Sequence, residues 1–403
     1  MKFLRTAILS AAMLSAGSAY GQISDNVIRI GVLNDMSGTY ADLAGPGSVL
    51  AARLAIEDLG DLLKGFKVEV VGADHQNKPD VGSNIVRQWI DVDKVDVIVD
   101  VPTSSVALAV NEIVREKNKV FLVSGAATSD LTGAKCSPNT VHWTYDTWSL
   151  ANGTGNAIVK TGGDTWFFLT ADYAFGHALE RDTAAVVTAN GGKVVGQVRH
   201  PFPGQDFSSF LLQAQASKAK IIGLANAGAD TTNAIKQAAE FGIVQQGQNL
   251  AGLLVFLTDV HSLGLKTAQG LIFTEAWYWD MNDANRAFAK RFAAANRGIH
   301  PSMVHAGVYS AVTHYLKSVV ALKNDTDGKA VVADMKKKPT KDALFGDGSI
   351  REDGRKIHPM YLFEVKKPEE SKGPWDYYKT RATIPANDAF RPLKDGKCPL
   401  VAG

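Results

Sequence analysis

The strongest constraint in this chain is an alternation of short, almost wholly apolar runs with longer segments whose apolar residues recur at helical spacing. Val27–Leu33, Phe66–Gly72, Val95–Val101 and Val120–Val123 read as strands. Between them Pro46–Leu59, Val81–Val92 and Ser105–Lys117 read as helices. Strands without a polar face are buried on both sides, and in βαβα order that means a parallel sheet covered by helices, an α/β protein.

The alternation then restarts. Helix Thr147–Lys160 leads to strands Trp166–Thr170, Lys193–Val198, Ile221–Leu224 and Leu250–Leu257, separated by helices Gly176–Ala189, Phe207–Ala216 and Thr231–Phe241. Gly191-Gly192 and Gly242 follow helices as C-terminal stops. Beyond Gly270–Thr274 come helices Asn282–Asn296, Val304–Lys323 and Ala330–Lys337, a hairpin over Phe345–Val365 and a Pro-rich tail with Trp375, Tyr377 and Tyr378. Helices left over after two α/β series imply that the chain crosses between two lobes more than once. The expected division is 22–146 plus 277–355 for the first lobe and 147–276 plus 356–403 for the second.

The first residues read differently. Lys2 and Arg5 precede an apolar stretch, Ala7–Ala16, which ends in small residues, the pattern of an export signal over residues 1–21. Removing Lys2 and Arg5 from the 43 basic residues leaves them equal in number to the 41 acidic ones. A neutral chain argues against nucleic acid or an anionic membrane as the main partner. No later run offers the apolar length that a membrane span needs, so the expected location is the periplasm, as a monomer. With 45% apolar and 21% charged residues, the chain has the composition of globular domains. Cys136 and Cys398 are the only cysteines. An oxidising compartment predicts a disulfide between them, worth about 4–5 kcal/mol in the chain-entropy view; two separate thiols are the other reading.

Catalytic motifs are missing. There is no G-x-S-x-G elbow, no P-loop and no H-E-x-x-H, and His300, His305 and His314 are not at metal-ligating spacing. Those histidines read as solvated or helix-capping, and no metal or cofactor is expected. Glu57-Asp58, Glu352-Asp353 and Glu369-Glu370 are adjacent pairs, which read as surface charge. An exported hydrolase is therefore the weaker alternative.

In α/β sheets ligands lie beyond the carboxyl ends of the strands. The loops there are Asn34–Tyr40, Pro102–Ser105 and Ser124–Ser129 in the first series, and Ala171–Gly176, Asn226–Asp230 and Thr258-Asp259 in the second. Hydroxyls and small residues suit an anion held by backbone amides, although such Ser and Thr also cap helices.

Val32–Gly38, Gly125–Thr128 and Asp172–Gly176 together resemble the periplasmic substrate-binding proteins of ABC importers, of the leucine/isoleucine/valine-binding type. The resemblance implies a type I periplasmic binding fold, two flavodoxin-like lobes with three hinge crossovers, and a partner permease in the inner membrane. It implies that Thr103, Ser104, Ala126, Ala127 and Thr128 hold a ligand carboxylate, that the ring of the facing lobe is Phe175 or Tyr173, and that Tyr40 lines the cleft from the first loop; Asn226 and Gly228 belong to the strand-end loop 226–230 of the second series. Asp259 is the nearest acid to meet an α-ammonium. Trp143, Trp148, Trp277 and Trp279 flank two crossovers, either as a wall for an aromatic ring or as lobe packing. The expected ligand is an amino acid of branched-chain type or an aromatic acid; a ligand sensor of the same fold is the alternative.

Overall fold

In the computed structural model, which describes residues 23–401, the first series forms β1 (Val27–Asn34), α1 (Gly45–Asp58), β2 (Lys67–Asp74), α2 (Pro79–Asp91), β3 (Val97–Asp100), α3 (Ser104–Glu116), β4 (Val120–Val123) and β5 (Thr140–His142). The strands pair in parallel in the order β2-β1-β3-β4-β5. Every residue of β3 and β4 is buried, because helices cover both faces. Helix α2 shows how the cover is made: Pro79 opens it, and Gly82, Val86, Trp89 and Ile90 fall on the buried stripe. The expected export signal lies outside the described residues.

The second series begins with a helical run: α4 (Thr147–Leu150), a π turn (Ala151–Gly155) and α5 (Asn156–Lys160). It continues as β6 (Thr165–Ala171), α6 (Ala174–Ala189), β7 (Lys193–His200), α7 (Ser208–Ala216), β8 (Ile221–Ala225), α8 (Ala229–Glu240) and β9 (Asn249–Gly252), with a parallel sheet in the order β7-β6-β8-β9. The expected strand over Leu250–Leu257 stops at Gly252. Leu253–Phe256 run on as loop, and α9 (Leu257–Leu263) and α10 (Leu265–Ala268) follow.

After β10 (Ile272–Glu275), helices α11 (Asp283–Ala295), α12 (Met303–Leu322) and α13 (Gly328–Lys337) add to the first lobe. Helix α12 docks on the start of α1: Ser302 Oγ donates to Leu43 O at 2.6 Å and His305 Nε2 to Ala44 O at 2.7 Å. His305 also accepts from Ser302 N in a capping box, and His314 donates to Met335 O, so both are buried and neither is solvated. Burial holds His305 down at about 4.

The single hairpin expected over Phe345–Val365 is two structures. Strands β11 (Thr340–Asp342), β12 (Gly346–Ile350) and β13 (Lys356–Ile357) make a small antiparallel sheet, whereas β14 (Met360–Val365) leaves to lie between β10 and β15 (Tyr378–Ile384). Met360, Phe363 and Val365 are buried there, which the local turn signals could not foretell. The chain then enters α14 (Ala386–Ala389) and turns back. Arg391 donates to Ser129 O, and Cys398 forms the expected disulfide with Cys136, Cα to Cα 5.6 Å. Residues 386–401 thus make these contacts with the first lobe, where the expected division put them with the second.

Passages after β5, after β10 and after β13 connect the two lobes. The first and third are bound together: Arg355 Nη1 donates to Tyr145 O at 3.0 Å and His358 Nε2 to Thr144 O at 2.8 Å. Arg355 is wholly buried beside Asp146, 3.5 Å away.

Candidate functional site

Between the lobes, at the carboxyl ends of both parallel sheets, a cavity of about 230 Å³, counting all free space between its walls, is lined by Tyr40, Leu43, Pro102, Gly125, Ala127, Tyr145, Tyr173, Phe175, Ala227, Leu254 and Phe256. A larger open groove of about 2170 Å³ runs past Lys220, Ile221, Asn249 and Leu250. It lies at the amino ends of β8 and β9, the opposite end from where sheets of this kind place a ligand.

Each wall is set by a rigid local motif. Tyr40 sits in the loop after β1, where the Asp35 carboxylate accepts from Gly38 N at 2.7 Å, Tyr40 N at 2.8 Å and Asn77 Nδ2 at 2.7 Å. Pro102 follows Asp100 and Val101, whose φ values of +78° and +56° are left-handed and costly for side chains of this kind. The turn is held by the Asp100 carboxyl, which accepts from Asn34 Nδ2 and Ser48 Oγ. Tyr145 arrives from the first crossover and donates to Gly125 O at 2.6 Å. Tyr145 packs edge-on against Phe256, their centroids 6.1 Å apart.

Among the described residues no charged side chain lines the cavity. Carboxyls lie behind it: burial pushes Asp100, Asp230 and Asp259 up to about 7, and Glu275, hydrogen-bonded to Tyr378, well above its usual range. The Tyr145 hydroxyl is raised by burial and then by Asp100, so it stays a neutral donor. Positive character comes from the backbone. Helices α3, α6 and α8 all start at this cleft, and their N-cap residues Thr103, Tyr173 and Gly228 make no side-chain capping bond. Their first-turn N–H groups carry the partial positive charge of helix N-termini.

Of the residues singled out in the sequence, Tyr40, Ala127, Tyr173 and Phe175 reach the cavity wall. The others are buried around it in supporting roles. Thr103 donates to Asn77, Ser104 Oγ accepts from Thr128 N, and Thr128 Oγ1 accepts from Asp130 N. Ala126 offers its carbonyl to His142, and Asn226 bonds His200 and Thr231. Gly228 has φ +59°, and a Cβ there would meet Thr39 O at 2.5 Å, so only glycine lets the first lobe approach. Asp259 caps its own helix by accepting from Phe256 N at 2.9 Å.

The four tryptophans do not line the cavity. Trp143 donates to Ser310 and lies at a tilt beside His314, Trp277 packs edge-on against Phe288, and Trp279 donates to Trp375 O. Leu43, Pro102, Gly125, Tyr145, Ala227, Leu254 and Phe256 complete the wall. The apolar run over Leu250–Leu257 predicts a strand that includes Leu254 and Phe256, because such a run looks the same whether a sheet or a cleft buries it. Among the described residues no group of three or more His, Cys, Asp or Glu is placed to hold a metal, and no helix is long and apolar enough to cross a membrane.

Comparison with known proteins gives consistent matches. The family described as "periplasmic binding protein" matches residues 27–374. A crystal structure of a periplasmic binding protein from Burkholderia mallei is 52% identical, covering 93% of this chain and 99% of that one, with a TM-score of 0.91. A branched chain amino acid ABC transporter periplasmic ligand-binding protein from Burkholderia xenovorans is 43% identical over 93% of this chain and 99% of its own, with a TM-score of 0.81. A Leu/Ile/Val-binding protein homolog from Brucella melitensis is 25% identical, covering 92% of this chain and 94% of the relative.

Proposed function

The chain belongs to the periplasmic binding protein family, and on that premise we propose that it captures a small organic carboxylate with an apolar or aromatic body between its lobes and delivers it to an ABC permease. One observation carries this reading: an aromatic cavity without a charged side chain lies where three helices begin with no side-chain cap. Such N-termini favour an anion, and rings favour a flat or branched hydrocarbon. The protein does no chemistry on the solute and works as a monomer whose lobes close around it. The lobes divide at residues 146, 276 and 355, with the tail from 386 returned to the first.

A branched-chain amino acid is the second reading, favoured by the name of the 43%-identical relative. It needs an acid for the ammonium, since a buried unpaired cation is costly. Asp259 accepts from Phe256 N, and Asp230 accepts from Gly204 N through Oδ1 alone, its buried Oδ2 having no hydrogen-bond partner among the described residues and being the acid this second reading would use.

A thermal-shift screen of benzoate, coumarate, leucine, valine and phenylalanine separates the readings, because a ligand that binds the folded state raises the melting temperature. Stabilisation by benzoate or coumarate is expected. Stabilisation by the amino acids alone would replace the first reading with the second.

A further inference from the structure

Phe202 does not line the cavity, yet it joins the two rings that close it. Its ring stacks on Tyr173 of its own lobe at 4.2 Å and 16°, and on Tyr40 of the opposite lobe at 5.5 Å and 24°. The hydroxyls of Tyr40 and Tyr173 are hydrogen-bonded to each other. Beside them Ala229 N donates to Thr39 O across the same seam, where Gly228 permits the approach.

Both halves of this contact are stiff. Tyr40 is fixed by the Asp35 bonds already described. The loop carrying Phe202 is pinned to α8 at three points: Gly204 N donates to Asp230 Oδ1 at 3.0 Å, Gln237 Nε2 to Gln205 O at 2.8 Å, and Phe207 N to Gln237 Oε1 at 2.7 Å. Preorganised groups lose little entropy when they meet.

We propose that Phe202, with Tyr173, forms a clasp for Tyr40 that holds the lobes shut, so that solute retention is governed by a ring outside the solute cavity. The proposal rests on the reading of this cleft as the solute site. Removing the clasp residue leaves the cavity wall intact. Release therefore changes and choice of solute does not.

Two measurements test it. Small-angle X-ray scattering of the ligand-free protein reads closure without any solute: Phe202→Ala and Tyr40→Phe are expected to raise the radius of gyration above wild type. Identical curves for the three proteins, or a wild-type curve that fits only separated lobes, would overturn the clasp. Stopped-flow release of benzoate, or of leucine if that is what stabilises the protein, is expected to be roughly three- to tenfold faster in Phe202→Ala, the scale of a lost aromatic stack. An unchanged release rate would also overturn it. Phe202→Leu keeps the loop's apolar anchor if the alanine variant does not fold, and the same increase in radius of gyration is expected from it. If no probe binds while the scattering still shifts, the solute reading fails and the clasp stands.

Discussion

Asp182, on α6 of the second lobe, accepts a 2.6 Å hydrogen bond from Ser129 Oγ of the first. The same oxygen accepts from Thr147 Oγ1 at 2.6 Å, and Arg181 Nη2 donates to Ser129 Oγ at 3.0 Å. One buried carboxylate therefore ties the first lobe to α6 and to the start of α4, where the first crossover ends.

Asp182→Ala strands two buried hydroxyls and is expected to cost about 2–3 kcal/mol, the usual penalty for unsatisfied buried polar groups. Urea unfolding is the measurement. A midpoint equal to wild type would mean that water replaces the carboxylate.

The disulfide closes a loop with a sequence separation of 262. Replacing both cysteines by serine is expected to remove on the order of 5 kcal/mol at most, through the entropy of the unfolded chain. Reductant should lower the wild-type unfolding midpoint and leave the double variant unmoved; equal response of the two would contradict this.

Burial holds Asp259 up at about 7, whereas in an unfolded chain it titrates near 4. Between those values the folded protein keeps a proton that the unfolded chain has lost. Stability from this group is full at acid pH and falls as pH rises through the window, by about 1.4 kcal/mol per unit. Asp259→Asn keeps an acceptor for Phe256 N and should flatten that part of the stability profile. Superimposable profiles would show that the acid is ionised throughout.

Gly228→Ala places a Cβ 2.5 Å from Thr39 O at a φ of +59°. Closure is blocked while each lobe keeps its own core. The variant is expected to melt within a few degrees of wild type and to bind benzoate at least about tenfold more weakly, a cost of about 1.4 kcal/mol. Unaltered affinity would show that the lobes close without this contact.

The α/β alternation was legible because strands buried on both faces leave uninterrupted apolar runs. Val120–Val123 coincides with β4 end to end, and the helical run 147–160 was found with its π turn unseen. Register and partner are different matters. Strand β14 pairs with Ile272–Glu275 and Tyr378–Ile384 and not with the strands just before it, and the more distant of these partners leaves no mark in the local pattern. At the cleft, Tyr40, Tyr173 and Phe175 were found from their place after strands. Phe202 and Phe256 were not, since their neighbours come from the other lobe or another loop.

By itself the sequence determined two α/β series and the loops that meet at the strand ends, which follow from local periodicity, and the pairing of the cysteines, which follows from their number and the expected compartment. Only the tertiary structure decided which side chains face the cleft. Thr103, Thr128 and Asp259 satisfy backbone and side-chain partners that folding brings beside them, and so support the wall instead of forming it. Hydrogen bonding of buried polar groups is settled by the assembled neighbours, and no spacing along the chain encodes it.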